Sequence, residues 1–456
     1  MCIRDRLGEV AAACEGRIDD RWTGTQVSGV STDTRELATG ELFAALTGEQ
    51  HDGHDFLEAA RDSGAVAALV SDPTRVPTGL PAVIVPDTLQ ALGALAAWHR
   101  ARMNARVAAI TGSTGKTSTK DMLGAIMRGA GPSVVAAGTQ NNEIGVPLTL
   151  LRLAPHDAFC VLELAMRGPG EIDYLAAIAQ PQVGVITNIG QSHVGRLGSR
   201  EAIAQVKAEL LEHVPADGAA VLNADDFFFS VFSAMASARV VSFGIDAEAD
   251  FRAVEVDADA VDSVSFRMLT PAGEARVRMA VPGRHSVMNA LAASAAAMQL
   301  GASLERVAGA LEGFAGSAMR MQRVADVGGS LVLNDAYNAS PDSVAAALAV
   351  LSGAQGRKMF VFGDMLEMGA EGEPAHREVG RAAAEAGVGR LIAVGELAAL
   401  AAEEAGELGV RVSAVSDAAE AVELLRSELM EGDVVLVKGS RGMALERVVE
   451  GLADDN

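Results

Sequence analysis

The chain of 456 residues is short of cysteine, of basic charge and of long apolar runs, and each shortage excludes something. Only Cys2, Cys14 and Cys160 occur, without metal-ligand spacing or a disulfide framework, so a reducing compartment is expected. The 37 Lys and Arg against 60 Asp and Glu leave a net charge of −23, which argues against a nucleic-acid or anionic-membrane surface. No apolar run approaches the roughly 18 residues of a membrane-spanning helix, and the start lacks a hydrophobic signal core. A soluble, cytoplasmic monomer is the expectation. Tandem repeats and long Pro-rich tethers are missing too, and residues 1–6 (MCIRDR) fit no element.

What is present reads as globular α/β sequence: 49% hydrophobic and 21% charged residues, in a length that suggests about three domains. The alternation of strand-like and helix-like runs divides the chain at about 1–103, 104–318 and 319–456. In the first segment, strands are expected at 27–34, 41–47, 66–71 and 82–85, with helices at 55–63 and 88–101. The second carries short apolar runs at 106–110, 161–164 and 183–189, each followed by a polar loop and a helical pattern, the rhythm of a parallel sheet. Residues 219–282 are expected to interrupt that rhythm with alternating β sequence before an Ala-rich helix at 289–300. The third segment restarts it with LVLND, KMFVFGD, RLIAVGE and DVVLVKGS.

One stretch points to chemistry. TGSTGKT at 111–117 lies between a strand-like run and an expected helix at 117–128. Gly112 and Gly115 let backbone N–H groups face a phosphate alongside Ser113, Thr114 and Ser118. Lys116 can bridge terminal phosphates, the Thr117 hydroxyl can hold Mg²⁺, and the helix N-terminus adds partial positive charge. The common phosphate loop has four residues between its glycines, whereas Ile110 stands where the first glycine would be. That departure points away from a generic motor or GTPase, and a glycine-rich turn without a ligand is the bland alternative.

Other residues are ambiguous when read alone. Glu163 ends a strand that could neighbour the loop and complete a Mg²⁺ shell, although a strand-end Glu is often only solvated. His193 sits in a loop after a strand. Lys207, on the helical run 200–213, reads as a surface lysine paired with Glu209 or Glu212. Asn289 suits an adenine edge or a helix cap, Asp335 a ribose hydroxyl, and Lys438 with Ser440 and Arg441 a carboxylate or phosphate clamp.

Together with TQNNEIGVP from Thr139, LELAMRGPGEI from Leu162, TNIGQSHVGRLGS from Thr187, KAEL from Lys207, PGRHSVMNALAA from Pro282, NDAYNASPDS from Asn334, GDMLEMG from Gly363 and VKGSRGMALE from Val437, the loop resembles the Mur ligases of peptidoglycan synthesis. The resemblance runs from about residue 7 to the C-terminus. It implies an N-terminal domain binding a uridine nucleotide, a central P-loop ATPase domain and a C-terminal doubly wound, Rossmann-like domain. It places Ser31, Thr32, Arg35, Gly53 and His54 around the UDP moiety. Thr117 and Glu163 match the ligands of a first Mg²⁺, and Glu163, His193 and a carbamylated Lys207 those of a second. A carbamate is an anionic oxygen ligand, which removes the repulsion an ammonium would offer the metal. Asn289, Arg320 and Asp335 match nucleotide-binding positions. Thr139, Asn141, Asn142 and Glu143 match a loop near the growing peptide, and Tyr337, Asn338, Lys438 and Ser440 face the substrates. Lys116, Glu163, His193 and Lys207 are the implied catalytic set.

The implied activity is ATP-dependent addition of D-alanyl-D-alanine to UDP-N-acetylmuramoyl-tripeptide through an acyl phosphate. TQNNEIGVP and NDAYNASPDS favour the dipeptide-adding branch over relatives that add single amino acids. A sibling ligase adding one amino acid, a folylpolyglutamate synthase-like enzyme and a non-catalytic nucleotide-binding module are the alternatives. Two departures from the family pattern stand out: Ala318 and Met319 precede Arg320 where Pro-Gly is common, and Ala165 follows Glu163-Leu164 where Gly is common.

Overall fold

The structure, a computed structural model, describes residues 5–48, 50–192, 194–327 and 329–453; His193 lies outside them. Three sheets organise the chain, together with a small antiparallel pair.

The first sheet is parallel, in the order Val30–Ser31, Leu42–Ala44, Ala67–Val70 and Ala82–Ile84. Its inner strands are buried on both faces, which is why they read as unbroken apolar runs. The single strand expected at 27–34 is instead two short ones. Gln26–Val27 pairs antiparallel with Asp5–Arg6, whereas Val30–Ser31 joins the parallel sheet, so the segment crosses from one sheet to the other. Residues 5 and 6 thus belong to an element after all. The helix Thr88–Ala101 falls where expected, because Asp87 accepts hydrogen bonds from the backbone N–H groups of Leu89 (2.8 Å) and Gln90 (3.0 Å) and starts it.

The second sheet has nine strands. Ser133–Val135, Phe159–Glu163, Arg106–Thr111, Val183–Ile186, Ala219–Asn223, Arg239–Gly244 and Phe251–Asp257 run parallel in that order, and Val264–Thr270 and Gly273–Met279 close the edge antiparallel. Residues 219–282 therefore do not simply interrupt the βα pattern. Their first strands extend the parallel sheet, and only Val264–Thr270 runs against it, before a tight hairpin returns Gly273–Met279 to the original direction. Register puts Ile110 beside Glu163 and Thr111 beside Ile186, so the loops after three neighbouring strands open at one place on the carboxyl edge.

The third sheet has the order Gln322–Val327, Ser330–Asp335, Val434–Lys438, Lys358–Gly363, Arg390–Val394 and Arg411–Val415, parallel except for its first strand. One face packs on the helices Pro341–Ser352, Gly372–Glu385 and Glu396–Glu407, and the other on Ala418–Glu428 and Glu446–Ala453. This is the doubly wound α/β layout. It brings Asp335 and Lys438 side by side at the carboxyl ends of adjacent strands.

Candidate nucleotide and metal site

The phosphate loop links the Arg106–Thr111 strand to the helix Lys116–Ala130, one residue longer at its start and two at its end than the sequence suggested. Its glycines are required sterically. Gly115 has φ +79°, and a Cβ there would lie 2.2 Å from Asn289 Oδ1; one on Gly112 would lie 1.8 Å from Thr187 Oγ1. Thr187 donates to the Thr114 carbonyl (2.6 Å), while Asn188 accepts from the Thr114 N–H (3.1 Å) and returns its amide to the Thr114 carbonyl (3.2 Å). Thr187 and Asn188 brace the loop, yet no property of the two residues alone signalled that; their place after a strand adjoining the loop did.

Lys116 curls back over the loop, donating to the carbonyls of Gly112 (2.8 Å) and Ser113 (3.3 Å). Burial pushes its ammonium below the usual lysine range, Glu163 opposes that shift and Arg320 adds to it. The Ser113 hydroxyl is buried and has no partner among the described residues, although it lines the cleft. A donor left unpaired beside a phosphate loop is what a bound phosphate would satisfy.

Glu163 is 2% exposed, and both its oxygens are engaged: Oε2 accepts from Thr117 Oγ1 at 2.7 Å and Oε1 from Asn141 Nδ2 at 2.8 Å. Arg320 Nη2 reaches the same Thr117 hydroxyl at 2.8 Å, and its guanidinium lies 4.3 Å from the centroid of the Tyr337 ring. Met319 (φ +54°) and Met321 (φ +47°) flank it in the left-handed region, an uncommon backbone that aims Arg320 across to the central sheet. A hydroxyl and a carboxylate a hydrogen bond apart, without sulfur, suit a hard divalent cation whose other ligands are phosphate oxygens and water. Among the described residues no group of three or more His, Cys, Asp or Glu side chains is placed to hold a metal ion.

Lys207 is not a surface lysine. It is 1% exposed, donates to the Gly112 carbonyl at 2.9 Å, and is held well below the ordinary lysine range by burial and then by Lys116. Its supposed partner Glu209 instead accepts from the backbone N–H groups of Gly170 (2.9 Å) and Asp173 (3.0 Å).

A cleft of about 380 Å³ lies between the central and third sheets. Residues 113–118, Thr139, Asn141, Glu163, Asn289, Arg320, Asp335, Tyr337, Asn338 and Lys438 line it. Lys438 is buried and donates to Asp335 Oδ2 (2.6 Å) and the Asn338 carbonyl (2.9 Å), while Asp335 Oδ1 accepts from the Met321 N–H (3.0 Å). His285, which sequence reasoning passed over inside PGRH, also lines the cleft, its imidazole pushed toward the neutral form by burial.

Three family models match the chain: the Mur ligase family, catalytic domain over residues 26–100, the Mur ligase middle domain over 110–297, and the Mur ligase, glutamate ligase domain over 319–441. The UDP-N-acetylmuramoyl-tripeptide--D-alanyl-D-alanine ligase of Escherichia coli strain K12 is 38% identical to it, across 94% of each chain. The chain belongs to the Mur ligase family. Its counterpart in Bacillus subtilis strain 168 is 35% identical across 99% of each chain. Among solved Mur ligases, a crystal structure of MurF from Acinetobacter baumannii is 34% identical with a TM-score of 0.91 over 99% of each chain. The MurF ligase from Thermotoga maritima in complex with ADP is 26% identical with a TM-score of 0.82, covering 94% of this chain and 97% of that one.

Several residues assigned by the Mur ligase resemblance do not line this cleft. His54 is buried, its Nδ1 donating to Asp52 (2.7 Å) and its Nε2 accepting from the Ser71 N–H (3.0 Å), so both ring nitrogens are spent on the fold. Gly53 packs against Leu46, where a Cβ would approach the Leu46 N to 2.6 Å. Ser31 donates to the Asp33 carbonyl (2.9 Å), and exposed Arg35 pairs with Asp33. Thr32 is half-buried in the same turn. Asn142 accepts from the Gly145 N–H (2.9 Å) at the start of the Gly145–Leu150 helix, beside a half-buried Glu143. Ser440 accepts from the Leu366 N–H (2.9 Å) and so anchors the GDMLEMG loop. Arg441, proposed as the clamp's second cation, pairs with Glu446.

Proposed function

We propose that this Mur ligase joins D-alanyl-D-alanine to UDP-N-acetylmuramoyl-tripeptide, converting ATP to ADP and phosphate and yielding the UDP-MurNAc-pentapeptide precursor. It is an ATP-dependent peptide ligase, with the nucleotide at the phosphate loop. The carrying observation is the convergence on Thr117: Glu163, at the end of a central-sheet strand, and Arg320, from the segment leading to the third sheet, meet at one hydroxyl beside Lys116. Identity to dipeptide-adding relatives over nearly the whole chain supports the choice of acceptor.

A carboxylate does not react with an amine until one of its oxygens becomes a good leaving group. The tripeptide's terminal carboxylate oxygen bonds to the γ-phosphorus as the bond to the departing ADP oxygen breaks. The D-Ala-D-Ala amine then attacks the acyl carbon and loses a proton, and the carbon–oxygen bond to phosphate breaks. Lys116 turns its ammonium from the Gly112 and Ser113 carbonyls toward the transferring charge, and Arg320 supports it from the other side. Mg²⁺ held by Thr117 and Glu163 would supply further neutralisation of phosphate charge. Asn141 keeps the Glu163 carboxylate oriented.

Lys207 would reach a second cation only as its carbamate, with His193 and Glu163. Its support is the burial of the amine, which together with Lys116 lowers its hold on a proton and so favours the form that adds CO₂. Asn289, against Gly115, and Asp335, paired with Lys438, would hold nucleotide. Thr139, Tyr337, Asn338 and Lys438 would meet the muramoyl peptide, and the loops around Ser31 and His54 the uridine end. We take the working units as 1–103, 104–318 and 319–456, in a cytoplasmic monomer; no helix among the described residues is long and apolar enough to cross a membrane. Phosphate release should be measured across a matrix of UDP-muramoyl peptides and amine acceptors. Turnover is expected only when the tripeptide nucleotide and D-Ala-D-Ala are both present, and equal turnover with one free amino acid would sink this choice of acceptor.

A further inference from the structure

The phosphate-loop helix carries a second pair of polar residues one turn beyond Lys116 and Thr117. Lys120 and Asp121 stand at i+4 from those two, so each shares a helix face with a residue of the nucleotide site. Lys120 is 1% exposed, which for a lysine requires a specific partner. Its ammonium donates to the Gly138 carbonyl at 2.7 Å and lies 3.1 Å from Asp121 Oδ1. The other Asp121 oxygen accepts from Ser317 Oγ at 2.6 Å.

Both outer contacts lead back to the cleft. Gly138 precedes Thr139 and lies three residues before Asn141, whose amide orients Glu163 and whose carbonyl accepts from the Ala165 N–H at 2.9 Å. Ser317 lies three residues before Arg320, and the Arg320 N–H returns to the Ser317 carbonyl at 3.2 Å. One helix thus holds nucleotide-facing groups on its first turn. On its second it holds the loop that orients Glu163 and the connection that carries Arg320. Neither Lys120 nor Asp121 lines the cleft.

We propose that Lys120 and Asp121 are positioning residues that keep the 138–141 loop and the 317–320 segment in register with the phosphate loop, so that Glu163 and Arg320 meet at Thr117. This rests on the ligase reading above. A displacement near 1 Å at such a site costs up to about 100-fold in rate.

Wild-type phosphate release with the tripeptide nucleotide and D-Ala-D-Ala is measured first, and its absence would count against the ligase reading alone. Lys120→Met, which keeps the stem and removes the ammonium, should then lower kcat about 10-fold or more, and Ser317→Ala about 3-fold, with ADP affinity by calorimetry changed less than about 2-fold. An unchanged kcat per folded molecule in Ser317→Ala would overturn the proposal, even where Lys120→Met does not fold. So would parallel losses of kcat and ADP affinity, which would make the pair a simple support for the phosphate helix.

Discussion

Glu163 Oε2, at the end of a central-sheet strand, accepts a hydrogen bond at 2.7 Å from Thr117 Oγ1 in the first turn of the phosphate-loop helix. The Thr117 hydroxyl also accepts from Arg320, which belongs to the C-terminal part of the chain. One oxygen therefore joins the phosphate loop, the strand beside it and the segment leading to the third sheet.

Removing the charge at that junction should stop chemistry while sparing the fold. Glu163→Gln keeps the shape and is expected to lower phosphate release about 100-fold or more, with a melting temperature near that of the native chain. Chelation of divalent cations by EDTA should abolish turnover of the native enzyme, and turnover should return with added Mg²⁺.

Gly115 is confined by geometry rather than by chemistry. Gly115→Ala adds a Cβ 2.2 Å from Asn289 Oδ1 at a positive φ and should cost about 1–3 kcal/mol of stability together with most nucleotide binding. Adding Asn289→Ala should recover part of the melting temperature and none of the activity, because the clash is relieved and the amide is lost.

Lys207 is expected to carry a carbamate. With ¹³C-bicarbonate a carbamate carbon signal should appear by NMR and vanish in Lys207→Arg, whose guanidinium does not add CO₂. Lys207→Ala should lose activity about 100-fold or more. Full activity in that variant, without dependence on bicarbonate, would remove the carbamate from the mechanism.

Two buried histidines set a pH dependence. His376 has its Nδ1 2.6 Å from the Gly372 carbonyl and its Nε2 accepting from the Met365 N–H (2.9 Å), and His99 binds the Leu153 carbonyl at 2.9 Å. Burial holds both below the ordinary value of 6.5. As pH falls through 6.5 the unfolded chain gains protons that the native state refuses, so stability decreases, by at most about 1.4 kcal/mol per pH unit and group. The melting temperature should drop between pH 7 and pH 5, and less steeply in His376→Gln.

Much of this site was legible because its parts lie in contiguous motifs. TGSTGKT announced a strand, a turn and a helix, and Glu163 was marked by its place at a strand end. Lys207 was not legible from its own helix, since a lysine near two glutamates has the pattern of a surface residue; its burial comes from packing against the Gly112 turn, 95 residues earlier. The surroundings of His54 were likewise not legible. The resemblance placed its loop around the UDP moiety, and only the fold shows both of its nitrogens engaged by Asp52 and Ser71. The segment 27–34 misled because a β-propensity run does not show that its two halves pair with different sheets.

By itself, then, the sequence determined the local chemistry: the phosphate loop with its two glycines, the α/β rhythm, the Asp87-capped helix and the ordered motifs of the family. Those follow from backbone sterics and short-range hydrogen bonding, which a few adjacent residues specify. Tertiary structure alone decided which distant groups meet. Thr117, Glu163 and Arg320 converge, Lys207 is stripped of water and its pKa lowered by burial, and Lys120 is turned onto Gly138, because sheet register and burial depend on contacts between residues far apart in the chain.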